Sequence, residues 1–249
     1  MRRQVAFAVI GLSMVASGMR AQVAPQKPPT PRIVLVELYT SEGCSSCPPA
    51  DALLRILNGT QSAAGDLIVG ISEHVTYWNQ LGWRDPFSSE IVTERQSAYT
   101  DRLHNEVYTP QMVINGEQQV LGSDRAAVTR AIAKAHHAPD VALHIASANA
   151  DGNGLAVTFS VSGVGRADIF AVITQDTAST SVLRGENGGR TLSHVAVATT
   201  FAKVSTGGAV AEKTIHLTAP MTPGQKRHLI LFAQTPGLGP VLAVDSVPL

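Results

Sequence analysis

The chain has 249 residues, 44% of them apolar and only 15% charged, with Lys plus Arg matching Asp plus Glu at 19 each. That length supports one large core or two small ones, and the balance of charge lacks the cationic surplus that nucleic acid demands, so none is expected as a partner. Two cysteines exclude a scaffold held by several disulfides, and no acidic or polar tract of the kind that stays unfolded is present.

Arg2 and Arg3 precede an apolar run over residues 5–16, and the small residues Ala16, Ser17 and Gly18 follow. Charged start, apolar middle and small-residue end describe a secretory signal, and the run is shorter than the roughly 20 residues of a membrane span. Residues 1–24 are thus expected to be the signal and the start of a lead-in, continued by the proline-rich stretch over 25–31. The mature protein is expected to be exported, periplasmic or secreted, with no membrane span.

Residues 33–39 form an almost unbroken apolar, β-branched run, the pattern of a strand buried on both faces. A Cys-Ser-Ser-Cys turn follows. Ala50, Leu53, Leu54 and Leu57 then recur at helical spacing up to Asn58-Gly59, and residues 66–72 make a second buried strand. Strand, helix and strand with short joints imply parallel pairing through a right-handed crossover. An irregular, aromatic-rich segment over 74–87 leads into a helix over 88–103 with Ile91, Val92, Tyr99 and Leu103 inward. Asn115-Gly116 marks a hairpin between strands 111–114 and 118–121. Ser123 or Asp124 caps a last helix with Val128, Ile132 and Ala135 on one face. Beyond residue 139 the period changes: Leu155, Val157, Phe159 and Val161 alternate with smaller or polar residues. Strand-like runs follow at 167–174, 194–200, 213–218, 228–233 and 241–244. The expected organisation is an α/β domain over 32–138 carrying the aromatic insert, then an antiparallel β-sandwich-like domain over 139–249.

The cysteines carry the chemistry. A thiolate, not a thiol, attacks a disulfide, and a helix N-terminus supplies partial positive charge to stabilise it. Cys44 is the expected attacking residue and Cys47 the resolving one, a possible route to thiol–disulfide oxidoreductase activity. Glu42 and Asp51 are nearby negatives that would raise a thiol pKa. An inert bridge competes with this reading, although closing so short a loop stabilises by only about 2 kcal/mol. Zinc is disfavoured because it wants four ligands and His136-His137 are adjacent rather than spaced for a shared ion. His74 is the candidate proton shuttle, against a histidine satisfied within the fold. Tyr77, Trp78, Trp83, Phe87, Tyr99 and Tyr108 either line an apolar groove beside the cysteines or form the core of their own segment. The glycine-rich stretch over 184–190 lacks a phosphate-loop signature and reads as a hairpin or a contact with the first half. Asn58-Gly59-Thr60 fits a glycosylation acceptor, and no Gly-x-Ser-x-Gly elbow occurs.

Tyr108-Thr109-Pro110-Gln111 precedes a strand, a place where proline is tolerated and where an X-Pro bond can be cis. Together with the Cys-Ser-Ser-Cys turn after the first strand, it makes residues 33–130 resemble a thioredoxin fold. More closely, the chain resembles the secreted thioredoxin-like family known as domain of unknown function 1223. The resemblance rests on residues 36–51 (VELYTSEGCSSCPPAD), His74-Val75-Thr76-Tyr77-Trp78, residues 81–87 (LGWRDPF), Thr93-Glu94-Arg95-Gln96, residues 107–111 (VYTPQ), and Gly185-Glu186-Asn187 with Leu192 and His194. Thr76 and Asn79 stand where that family's pattern has acids, and Ala196 where it has Asn. The resemblance implies a thioredoxin-like fold and export. By analogy it implies that the Thr109 backbone, cis Pro110, Trp78 and Tyr108 receive an extended substrate, with His74 and Glu42 in support. The expected activity is thiol–disulfide exchange with exported protein thiols or disulfides, needing no cofactor or metal. The alternative is a non-catalytic periplasmic binding module, or a Cu(I)-type metallochaperone, using the same pair and an aromatic groove.

Overall fold

The computed structural model describes residues 32–138, 140–219 and 224–249; the expected signal segment lies outside them. In chain order the elements are β1 (Ile33–Thr40), α1 (Pro48–Leu57), β2 (Leu67–His74), a 3-10 helix (Tyr77–Leu81), α2 (Glu90–Leu103), β3 (Gln111–Ile114), β4 (Gln118–Leu121) and α3 (Arg125–Ala133). Then come β5 (Ala142–Asp151), β6 (Gly154–Ser162), β7 (Ala167–Ser181), β8 (Thr191–Gly207), β9 (Val210–Thr218), β10 (Arg227–Gln234) and β11 (Val241–Pro248).

Eight strands share one sheet in the order β11-β10-β7-β8-β2-β1-β3-β4, and β5-β6-β9 form a second. Pairing is parallel at β1–β2 and β2–β8 and antiparallel elsewhere in the large sheet. The continuous apolar run of β1 follows from this placement, since successive side chains enter two covered faces. Val34, Val36 and Leu38 pack with Leu53 and Leu54 of α1 and Val128 and Ile132 of α3. Leu35 enters the opposite core with Val69, Ile71, Phe170, Val172, Ile230 and Phe232. β7 and β10 are likewise covered twice: Ile169, Ala171, Leu229 and Leu231 face the second sheet through Leu155, Val157 and Phe159.

The expected α/β thioredoxin-like domain followed by an antiparallel β-sandwich-like domain is corrected by this architecture. Strand accounts for 47% of the chain and helix for 18%, which makes the protein mostly β with only three α-helices among the described residues. The reason lies at the outer edge of β2. β8 docks there through Ser72 and Val197, so strands from the second half extend the sheet begun by the first, and Pro31–Leu249 is one compact unit. β5 left no mark in the sequence because only Leu143 and Ile145 are buried and a bulge before Ser147 breaks the alternation. β7 and β8 run well beyond the predicted 167–174 and 194–200, their outer ends being polar.

Candidate functional site

Cys44 and Cys47 are joined by a disulfide at the start of α1. Cys47 is the residue before the helix, and Pro48 and Pro49 occupy its first positions, where a missing N–H costs nothing. The Cys47 carbonyl accepts from the N–H groups of Ala50 and Asp51, and the Cys44 carbonyl from the Cys47 N–H. The helix dipole therefore points at the pair. Ser45 and Ser46 are exposed, yet both cysteines have no accessible surface.

Part of the cover comes from the turn joining β7 to β8. Asn187 is fully buried and its amide donates to the carbonyls of Glu42 and Cys44, both at 2.9 Å, while its own oxygen accepts from Arg190 at 2.7 Å. The Glu186 carboxylate accepts from the Ser45 N–H at 3.1 Å. Gly185 adopts φ +74°, and a Cβ there would stand 3.2 Å from the Trp83 Cβ, so glycine answers both a left-handed turn and a close approach.

Beneath the loop lies a buried polar cluster. Glu42 accepts from the Trp83 indole at 2.8 Å, and its other oxygen lies 3.5 Å from His194 Nε2. His194 Nδ1 is 3.8 Å from Asp51, which also accepts from the Thr40 hydroxyl at 3.0 Å. Burial would make the His194 imidazole less basic, but Asp51 and Glu42 outweigh that and hold its pKa at about 9. His74 Nδ1 meets Asp85 at 2.7 Å and Nε2 meets the Ser72 hydroxyl at 3.2 Å, so both ring nitrogens are occupied. Burial pushes the Asp85 carboxyl up; the His74 charge and bond, and the N–H groups of Glu42 and Phe87, more than reverse this and leave it below the usual carboxylate range.

The Thr109–Pro110 peptide bond is cis. Trp78 joins this loop to the cysteines: its indole donates to the Thr109 hydroxyl at 2.8 Å, and its Cβ lies 3.0 Å from where a Cβ on Gly43 would stand. The Pro110 carbonyl accepts from the Gly122 N–H, and Gly122 packs against Ala50 of α1. Gln96 of α2 donates to the Tyr108 carbonyl and to Gln111. Tyr108 is half-buried, its hydroxyl donating to Gln119.

The family model described as Protein of unknown function (DUF1223) matches residues 35–234. The chain belongs to the DUF1223 family. Two solved structures resemble this DUF1223 protein. The crystal structure of protein AGR_C_4864 from Agrobacterium tumefaciens is 27% identical with a TM-score of 0.63, covering 88% of this chain and 95% of that one. HBP35 of Porphyromonas gingivalis, at 11% identity and a TM-score of 0.60, covers 89% of this chain and 76% of its own, a likeness of fold alone. No curated protein matches the chain.

Within this DUF1223 chain the predicted residues divide into two groups. Cys44, Cys47, Glu42, Trp78, Thr109 and Pro110 are linked through the contacts above, and Tyr108 flanks them. His74 joins through Asp85 and the His194 ring, whose centroid is 4.7 Å from its own. Of the aromatics, Tyr99 is buried against Tyr39 rather than lining a groove. Thr76 and Asn79 do not orient His74: Thr76 bonds Thr93, and Asn79 accepts from the Asp85 N–H and donates to Ser88. Sequence reasoning had not placed Asp85, Asn187 or His194 at the site. Their signal was membership of the motifs that carry the family resemblance, Asp85 in residues 81–87 and Asn187 and His194 beside the glycine-rich turn. Among the described residues no group of three or more His, Cys, Asp or Glu is arranged to hold a metal ion, and no helix is long and apolar enough to cross a membrane.

Proposed function

We propose that this DUF1223 protein carries out thiol–disulfide exchange on exported proteins, Cys44 attacking and Cys47 resolving. The carrying observation is the Cys44–Cys47 disulfide at the N-terminus of α1, joined by Trp78 to the Thr109–Pro110 loop where a substrate segment would lie. In the reducing direction the Cys44 thiolate attacks one sulfur of a substrate disulfide, forming a mixed disulfide and releasing a substrate thiolate. Cys47, having lost its proton, then attacks the Cys44 sulfur. The protein disulfide reforms, the second substrate thiolate leaves, and two electrons have passed to the substrate. Oxidation of a substrate dithiol is the same sequence reversed. Because neither cysteine is accessible, both directions require a covering segment to move, and the 182–190 turn, bonded to the cysteine loop through Asn187 and Glu186, is the one this reading takes to lift.

The test is insulin reduction under a dithiol reductant. Wild type should accelerate it, Cys44→Ser should abolish the effect, and Cys47→Ser should accumulate mixed disulfides. Equal activity of wild type and Cys44→Ser ends the proposal. The burial of both sulfurs favours a second reading, a structural bridge. That reading expects a very low reduction potential and a loss of about 2 kcal/mol of stability on reduction, whereas an exchanging pair titrates between about −270 and −120 mV.

A further inference from the structure

Two buried carboxylates flank the cysteine loop: Glu42, two residues before Cys44, and Asp51, in the first turn of α1 after Cys47. Left uncompensated, both would oppose a thiolate between them. One ring from β8 faces both carboxylates. His194 stands 3.5 Å from Glu42 and 3.8 Å from Asp51, long for hydrogen bonds, so weak bonding and charge from both carboxylates act together on the ring.

The other charged groups around this ring are otherwise engaged. His74, edge-on to it, has Asp85 as its own carboxylate, and Arg55 of α1 donates to the neighbouring Ser193 carbonyl. Trp83 and Thr40 supply neutral hydrogen bonds to Glu42 and Asp51. Phe87 closes the remaining side of the ring.

We infer that His194 is the counter-charge that sets the acidity of the cysteine pair, offsetting Glu42 and Asp51 so that a thiolate can form. It is a positioning residue, acting through the two carboxylates, and the inference deepens the exchange reading by assigning the β7–β8 hairpin a part in it. The two carboxylates keep the imidazole charged through neutral pH, its pKa standing at about 9 against the opposing effect of burial.

The experiment titrates the thiolate of the reduced protein by its absorbance at 240 nm, alongside its rate of reaction with dithiobis(nitrobenzoate) at pH 7. His194→Gln should lower thiolate content and rate about tenfold, the effect of one pKa unit. Glu42→Gln should act in the opposite sense. The His194→Gln/Glu42→Gln pair should return to within a few-fold of wild type, which a merely structural defect would not do. An unchanged titration in His194→Gln overturns the assignment, as does a fall that Glu42→Gln leaves uncorrected. Should His194→Gln fail to fold, a reduced thiolate content in Glu42→Gln alone overturns it. If wild type reduces no insulin but its titration depends on His194, the exchange reading fails and the counter-charge stands. If it reduces insulin with a titration blind to His194, the reverse holds.

Discussion

Asn187→Ala isolates the cover over the cysteines. The substitution removes two hydrogen bonds to the Glu42 and Cys44 carbonyls and one from Arg190. The Cys44 carbonyl keeps its bond from the Cys47 N–H, so the loss is smaller than three full bonds. At about 1 kcal/mol net for each of the two buried bonds, with part of a desolvation penalty at the Glu42 carbonyl, the closed turn loses about 2–3 kcal/mol. For a chain of this size that corresponds to a fall of about 5–10 °C in Tm. If the disulfide reacts only from a lifted state, the same energy raises the lifted population about 30- to 160-fold. The assay exposes the native protein to dithiothreitol, withdraws samples with time, and counts free thiols by the gel shift of a maleimide polymer. A lowered Tm with a wild-type reduction rate would refute the gating argument. No change in either would refute the hydrogen bonding itself.

Ala196 sits at φ +49° on β8, a conformation costing an alanine about 1–2 kcal/mol; Ala196→Asn should raise Tm by a few degrees, since asparagine tolerates this region and a cavity of about 320 Å³ adjoins the site. Both Glu73 oxygens are buried without a hydrogen bond, and burial, then the neighbouring Glu37, raise its carboxyl well above the usual range. The folded state thus prefers Glu73 protonated, and stability should decline as pH climbs above the ordinary glutamate value; Glu73→Gln should flatten that decline in melts at pH 5 and pH 8. His194 adds a later limb: its stabilisation is fully present below pH 6.5 and disappears as pH rises through about 9, an effect of up to about 3 kcal/mol that His194→Gln should remove from the same melts. Arg95 pairs with Glu37 at 2.6 Å and lies 4.8–5.3 Å from the ring centroids of Tyr99, Phe170, Phe201 and Phe232. Arg95→Met leaves Glu37 buried without its partner and should cost about 3–5 kcal/mol in urea melts.

Local patterns in the sequence had local causes. The β-branched run of β1, the helical stripe of Leu53 and Leu54 and the Asn115-Gly116 turn each report the environment of a few neighbouring residues. The cysteine motif and Thr109-Pro110 were readable for the same reason. What could not be read was partnership between remote segments. The junction of β2 with β8 rests on Ser72 and Val197, two unremarkable residues with no periodic mark, and it decided the fold class. Arg95, Glu37 and Glu73 look like surface charges until α2 packs across the sheet and buries them together. His194 lies on a strand whose alternation betrays burial but not that the buried ring would face Glu42 and Asp51. The glycine-rich stretch over 184–190 carried the one local hint that the second half touches the first.

The hairpin of β7 and β8 has one further mechanical property. Pairing with β10 ends at Gln175, so the last six residues of β7, Asp176 to Ser181, project with β8 alone for about 20 Å, ending at the turn above Cys44. Such an arm magnifies: a tilt of roughly 10° where it leaves β10 swings the far end roughly 3.5 Å, longer than any hydrogen bond holding it down. A small rotation where the hairpin leaves the sheet would therefore be felt as uncovering of sulfur, with the projecting strands serving as a lever.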